Sequence, residues 1–421
     1  MFYSMVEEFQ MFCGSEAYFA ALISTLQFVG LFVGTFTFGH LGDQFGRKRV
    51  SLCAIALVVI SGSASGLSTS WQMMAAIRFV YGLAVAGEIV VVYTYIMEII
   101  RPEQRMFMRG FFNRGLTRII FTLICWACGS WRLTALVSSS VVSVQFLIVL
   151  LLVPESPKWL QSKGRIFEAH EAQRRIDAFN GAKEEEKKDV ETPLKADSST
   201  SSDDTATTLE SNTKIYTAID LFNSWYMFRR TFVLCVIWFT CSLSSYAQDL
   251  NSRNLSGHFY FNQLAFGAPT AFSKMLIYGF VVSVAPNFSR RLLHQISQGL
   301  TVVSFVTLVL LVEFATPPSW LVVSINVLGI TFIEYIWDAC YLCTPEIYPT
   351  EMRAIGLGVC SMTARLGAVL SPQITFMHNF WRPAPWAAVS VLGVVSLLLS
   401  CVLLPETKGR ELVSMRDIQR G

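Results

Sequence analysis

Of the 421 residues, 53% are hydrophobic and only 15% charged, where soluble domains carry about 25% charged residues; the chain therefore reads as a membrane protein. A net charge of +3 is too small to suggest a nucleic-acid partner. Neither GxxxxGKS nor GxxxxGKT occurs, which excludes nucleotide hydrolysis by that route.

A bilayer-crossing helix needs about 20 mainly apolar residues. In chain order, such runs fall near 17–39, 50–67, 72–98, 112–130, 132–153, 231–249, 260–285, 296–314, 319–343, 355–377 and 386–404. The pattern predicts an all-α multi-pass protein with eleven spans. Residues 1–16 precede the first span, 154–230 form the one large loop, and 405–421 are a tail. The middle of the loop, 181–214, holds KEEEKKD and SSTSSDDTATT. Such a segment cannot bury a core and is expected to be disordered.

Lysine and arginine orient the spans. One set of connections holds Arg47–Lys48–Arg49, Arg101, Arg105 and Arg109, the basic stretch from Lys158 to Arg230, Arg290 and Arg291, Arg353, and the tail residues Lys408, Arg410, Arg416 and Arg420. The alternate connections hold only Arg132, Arg253 and Arg382. The first set is expected in the cytoplasm, with residues 1–16 outside. Asn254-Leu-Ser256 is then the glycosylation sequon on the outer face, whereas Asn287-Phe-Ser289 lies inside, where it cannot be used. Cys125-Trp-Ala-Cys128 and Cys340-Tyr-Leu-Cys343 have CxxC spacing. Both lie in apolar runs without nearby histidines, and read as buried thiols rather than a metal site.

The chain is internally duplicated. Phe45-Gly-Arg-Lys48 is echoed by Phe288-Ser-Arg-Arg291, Glu98-Ile-Ile-Arg-Pro-Glu-Gln-Arg105 by Glu346-Ile-Tyr-Pro-Thr-Glu-Met-Arg353, and Pro154-Glu-Ser156 by Pro405-Glu-Thr407. A parallel repeat of this kind builds a transporter from two halves around a central cavity. It predicts a bundle of five spans over 17–153 and one of six over 231–404. The counterpart of 231–249 would fall before residue 1, so the first helix of the first bundle is expected to be missing and 1–16 to be an extracellular remnant.

The stretch GHLGDQFGRKRV (39–50) resembles the loop signature of the major facilitator superfamily. SMVEEFQMFC (4–13), YTYIMEIIRPEQR (93–105), PESPKWL (154–160), TPEIYPTEMRAIGLGVCSMTARLGAVLSPQI (344–374) and LPETKGREL (404–412) more narrowly resemble the organic cation, anion and carnitine transporters, solute carrier family 22. The resemblance implies a fold of two pseudo-symmetric helical bundles in the plasma membrane. It further implies a preceding helix and a large cysteine-rich outer loop, of which Cys13 resembles the last cysteine. The second-half echo departs from the signature at Asn287 and Ser289, which implies a weaker gate there.

Gly30, Gly34 and Gly39 give one helix a small-residue face for close packing. Asp43, at the end of that helix, is suited to accept bonds from the positive N-terminus of a facing helix. By resemblance that helix is the one starting near Ile355, and the contact would latch the cytoplasmic side shut. Gly39, Asp43, Gly46, Arg47 and Lys48 form this gating motif; the bland reading of Arg47–Arg49 is plain positive-inside charge. Glu98 with Arg105, Glu155, Arg290 and Arg291, Glu346 with Arg353, and Glu406 are expected to form charge networks at the same end, either switching or stapling.

Ionisable residues at membrane depth are costly and are functional candidates. Arg78 divides evenly between packing and function, and Glu88, Arg114 and Arg118 are expected to pair with one another, the two arginines sharing a helical face. Arg365, mid-span in CSMTARLGAVLSP, is suited to a substrate carboxylate or sulfonate; the alternative is a structural pair with Glu334 or Asp338. By resemblance, arginine at this position goes with organic anion and carnitine carriers, and Lys274 lies near a position that is basic in anion carriers. Glu334 and Asp338 share one helical face and would suit a cation or a proton relay. Tyr246, Trp238, Trp337, Tyr341 and Tyr278 would supply aromatic walls.

The leading expectation is transport of small organic ions, anions or zwitterions, by alternating access, with no cofactor and no nucleotide. A coupling ion or counter-substrate is compatible with this reading. The alternatives are a cation carrier using Glu334 and Asp338, and a non-transporting binding or regulatory membrane protein, motivated by the missing first helix. No nucleophile–base or metal constellation points to an enzyme.

Overall fold

The computed structural model describes residues 2–12, 16–100, 113–179, 219–255, 257–283, 289–349 and 352–405, with backbone alone at 253, 274–283, 290 and 354. Arg105, Glu406, Cys13, Asn287, Ser256 and the segment 181–214 lie outside the described residues, as do the side chains of Lys274, Tyr278 and Arg290.

Eleven long helices follow one another among the described residues: α1 (Glu16–Phe45), α2 (Arg47–Gly66), α3 (Trp71–Ile99), α4 (Arg114–Cys128), α5 (Trp131–Leu151), α6 (Trp225–Asn251), α7 (Phe259–Ser283), α8 (Arg290–Phe314), α9 (Ser319–Ile347), α10 (Arg353–Phe376) and α11 (Ala384–Leu403). Among the described residues, nine are long and apolar enough to cross a membrane, and no named strand occurs. The two that fall short of the eleven predicted spans are α4 and α7. α4 has 15 residues, three of them Arg114, Thr117 and Arg118. The span predicted from 231 begins earlier, at Trp225, so the last residues of the predicted loop belong to α6. Elsewhere the loop forms short helices at Pro157–Ser162, Ile166–Phe179 and Asp220–Asn223.

Close approach of helices follows from glycine placement. A Cβ on Gly30 or Gly34 of α1 would overlap the backbone of Phe79 or Leu83 in α3, and one on Gly82 would overlap the Gln27 carbonyl. With no side chain at these points, α1 and α3 pack backbone to backbone. Gly39 is different: its nearest neighbour would be Val90 Cγ1 at 3.7 Å, an ordinary contact.

In the first half, α2 packs on α5 and on α3; in the second, α8 packs on α11 and on α9. These pairings are the spatial form of the sequence repeat. α6 packs along α10 and α11 in the second half, around a core that includes Trp238, Leu234, Phe305 and Tyr348. The halves meet through α1 against α10 and α4 against α7. The latter crossing is tight because Gly115 faces Gly267 and Ala271, and Asn113 Nδ2 donates to the Ala271 carbonyl at 3.2 Å.

Candidate functional site: a charged cavity between the halves

A cavity of about 260 Å³ opens between the halves, lined by Ile89, Arg114, Trp238, Tyr246, Glu334, Trp337, Asp338, Tyr341, Ser361, Ala364 and Arg365. Seven of the nine residues expected to meet substrate therefore line one space. For the other two, Lys274 and Tyr278, the structure gives their place on α7 alone. Helical spacing accounts for the grouping: 334, 337, 338 and 341 recur on one stripe of α9, and 361, 364 and 365 on one stripe of α10. Ile89 comes from a π-helical turn, Glu88–Val92, within α3; such turns concentrate at functional sites.

The aromatic residues are not equivalent. Trp238 is 1% exposed and its indole N–H donates to Thr344 Oγ1 at 2.9 Å, so it is first a core residue. Tyr341 packs edge-on against it, with centroids 4.8 Å apart, and stacks on Trp337 at 6.1 Å. Tyr246 lies edge-on to Phe28 of the other half and carries the Arg114 guanidinium over its face, 5.1 Å from the centroid.

Two lining arginines face two lining acids, but the charges are not paired off evenly. Arg114 bonds Asp249 and lies 3.8 Å from Glu334 Oε1. Arg118, one turn on, bonds Asp249 at 2.8 Å and gives Nε and Nη2 to Gln263 Oε1 at 2.9 and 2.6 Å. The expected pairing of Glu88 with these arginines is not made. α4 turns their shared face toward α6 and α7, while Glu88 is held on α3 with a buried Oε1 that has no hydrogen-bond partner. Arg78 reaches Gln27 Oε1 at 3.4 Å instead of an acid. Asp249, which joins both arginines, escaped the sequence reading because it closes the predicted span 231–249 and reads there as interfacial.

Arg365 forms no ion pair among the described residues, so the structural pairing with Glu334 or Asp338 is not observed, and its Nε is buried without a hydrogen-bond partner. A guanidinium in an apolar setting costs several kcal/mol unless something compensates it.

The gating residues of the first half are bound to one another. Asp43 Oδ1 takes Arg47 Nη1 at 2.6 Å, and Arg47 Nε lies 3.4 Å from Glu98 Oε1. Glu98 accepts from the Ser156 hydroxyl, and Glu155 Oε1 accepts the Lys48 amide at 2.9 Å. Gly46 sits at φ +106°, where only glycine is unstrained. A Cβ there would meet the Glu155 carboxylate at 2.6 Å. The expected latch from Asp43 to the start of α10 is not made here: the Asp43 side chain is 70% exposed and pairs with Arg47, the first residue of α2. In the second half, Arg353 buries Nε and Nη2 without hydrogen-bond partners, and Arg291 donates to the Cys401 carbonyl. Asn254, in the sequon, donates its amide to Asn251 Oδ1 at 2.9 Å.

Among the described residues, the contacts that join the halves lie away from this basic end. Gln373 Nε2 donates to Thr25 Oγ1 at 3.0 Å, Tyr18 packs edge-on to Phe376, and Phe2 packs edge-on to Tyr260. With the Arg114–Asp249 group, they join the halves on the side remote from the basic clusters.

A duplicated helical bundle enclosing a charged, aromatic-walled cavity at its midline defines a membrane carrier of the major facilitator type. Its fold matches the xylose transporter XylE from E. coli in a partially occluded inward-open conformation, with TM-score 0.67 and 16% identity, covering 94% of this chain and 90% of that one. It also matches the inward-open form of XylE, with TM-score 0.65 and 17% identity over 96% and 90% of the two chains. The family model for sugar (and other) transporters matches residues 1–418. Solute carrier family 22 member 15-like of Xenopus laevis is 30% identical over 99% of this chain and 82% of its own. Solute carrier family 22 member 7 of Bos taurus is 30% identical over 94% and 70%, and the uncharacterized protein F23F12.3 of Caenorhabditis elegans is 42% identical over 98% and 80%. The chain belongs to the sugar (and other) transporter family and, within it, to solute carrier family 22: an integral multi-span membrane transporter of organic solutes, not an enzyme.

Proposed function

We propose that the protein carries small organic anions or zwitterions by alternating access, with Arg365 binding the anionic group. The observation behind this reading is a cavity-lining guanidinium with no ion pair among the described residues and a buried Nε without a hydrogen-bond partner. A carboxylate or sulfonate satisfies its planar fork. Tyr246, Trp337 and Tyr341 flank the apolar part of the substrate, and Asp338 and Glu334 receive the positive end of a zwitterion. The volume, about 260 Å³, lies just under the roughly 300–1,000 Å³ typical of small-molecule sites, which favours small substrates.

In this reading all eleven helices cross the plasma membrane and the basic end is cytoplasmic. The state described is then open to the cytoplasm, since the halves are bonded at the other end. A coupling ion or counter-substrate is compatible with the buried Glu334.

Saturable uptake of a radiolabelled aryl carboxylate into cells expressing the protein is expected, and Arg365→Ala should abolish it while leaving surface expression intact. Uptake by Arg365→Ala at the wild-type rate would refute the role of Arg365. The two cavity carboxylates favour one second reading, a cation carrier: the wild type would move tetraethylammonium but no carboxylate, and Asp338→Asn would abolish that flux.

A further inference from the structure

We propose that Asp249 is a positioning residue which, by holding Arg114 and Arg118, forms the barrier on the side of the cavity remote from the basic end. We infer further that an anion in the cavity opens this barrier by competing for Arg114.

One carboxylate of the second half ties down two guanidiniums of the first. Asp249 Oδ2 takes Arg114 Nη2, and Oδ1 takes Arg118 Nη1 at 2.8 Å. Gln263 of α7 holds the other side of Arg118, and Arg114 also reaches Ser245. These bonds sit beside the tight crossing of α4 and α7, where Gly115 meets Gly267 and Ala271, so helix separation here must break them.

The group is also a partition. Arg114 lines both the central cavity and a second one of about 450 Å³, whose walls include Thr117, Phe121, Cys125, Asp249 and Phe259. Phe259 begins α7, Asp249 lies in the last turn of α6 and Cys125 in the last turn of α4, which places this second cavity toward the end opposite the basic clusters. A solute passing from one cavity to the other goes by Arg114 and Asp249.

Arg114 is the coupling element because it touches both sides. One nitrogen holds the barrier acid, another lies 3.8 Å from Glu334 in the cavity wall, and the guanidinium face rests on Tyr246. An anion entering beside Arg365 adds a second claimant for Arg114 and lowers its hold on Asp249. A ligand shifts a two-state equilibrium by its differential affinity for the two states. This second step rests on the anion reading above; the barrier itself does not.

The test uses the full chain purified in lipid vesicles. With vesicles in which the basic end faces outward, so that the reagent reaches Cys125 only past the barrier, the rate at which a membrane-impermeant maleimide alkylates Cys125 is followed by peptide mass spectrometry, without substrate and with an aryl carboxylate. Asp249→Asn is expected to speed Cys125 labelling by about fivefold or more, the lower end of typical coupling factors, while Asp249→Glu stays near wild type. The carboxylate should accelerate labelling of the wild type and not of Asp249→Asn. Unchanged labelling in Asp249→Asn overturns the barrier. Faster labelling in Asp249→Asn with no carboxylate effect on the wild type upholds the barrier and overturns the anion-driven opening. Should Asp249→Asn fail to fold, the exchange pair decides: Arg118→Asp combined with Asp249→Arg should restore slow labelling, and a double variant that labels as fast as either single one overturns the proposal.

Discussion

Glu8 illustrates how much one side chain can fix. Its carboxylate takes the Trp131 indole N–H at 2.7 Å and the Arg132 Nε at 3.1 and 3.2 Å, while Arg132 also binds the Gly66 and Ser68 carbonyls at 2.8 and 2.7 Å. The hydrogen bond from Arg132, with a further one from Trp131, outweighs partial burial and holds the Glu8 carboxyl below its ordinary range. A group depressed in the folded state stabilises the fold above its unfolded pKa, about 4.3 for glutamate, and loses that contribution as pH falls through the folded value. The melting temperature of the purified protein is therefore expected to fall on acidification below about pH 4, and Glu8→Gln should lower it at neutral pH while flattening that acid branch. An acid branch identical in Glu8→Gln and the wild type would exclude the assignment. Nothing in SMVEEFQMFC singles out Glu8, and Arg132 reads there as a stray outer charge, because the bond joins residues far apart in sequence. Arg365, Glu334 and Asp338 were legible for the opposite reason: a charge inside an apolar run has few uses other than lining a cavity or pairing.

At the scale of elements, periodicity and length located most helices within a few residues, because a bilayer imposes one length on all of them. α4 was placed within two residues at each end yet falls short in apolar length, because Arg114 and Arg118 bond the second half and, with Thr117 and Thr122, dilute its apolar character. The glycine face was only partly legible. Gly30 and Gly34 are needed for close packing, whereas Gly39 has room, and spacing along one helix cannot tell where the partner helix diverges. The contrast is testable. Gly82→Val would drive a side chain into the Gln27 carbonyl, and overpacking of this kind costs about 1–3 kcal/mol or more. A marked drop in melting temperature or in surface expression is expected for Gly82→Val, and near-wild-type behaviour for Gly39→Ala. Equal tolerance of both substitutions would show that α1 and α3 do not pack backbone to backbone.

At the scale of the molecule, the halves are bonded among the described residues through α1–α10, α4–α7 and α4–α6, on the side remote from the basic clusters. The repeat was legible in sequence because both halves keep the same short motifs at the same helix ends; which end the contacts between the halves join was not, since they link residues far apart in sequence. In the alternating-access reading proposed above, Asp43 makes its main bond in the state not described here. Its carboxylate is mostly exposed and paired within one turn to Arg47, an arrangement worth roughly 0.2–1 kcal/mol, so Asp43→Asn should barely change thermal stability. In the alternate state, closure of the basic end would bring the end of α1 toward the start of α10, where a helix N-terminus favours a carboxylate by about 0.3–2 kcal/mol. At 1.4 kcal/mol per tenfold, that range shifts the balance between states by up to about thirtyfold. Asp43→Asn is therefore expected to change the maximal uptake rate far more than it changes melting temperature. The check is initial-rate kinetics alongside thermal unfolding of the same variant. Wild-type kinetics would leave Asp43 as a surface partner of Arg47, and a matching loss of stability and rate would make it a structural staple. Only a rate effect without a stability effect identifies a residue whose main bond is made in the other half of the cycle.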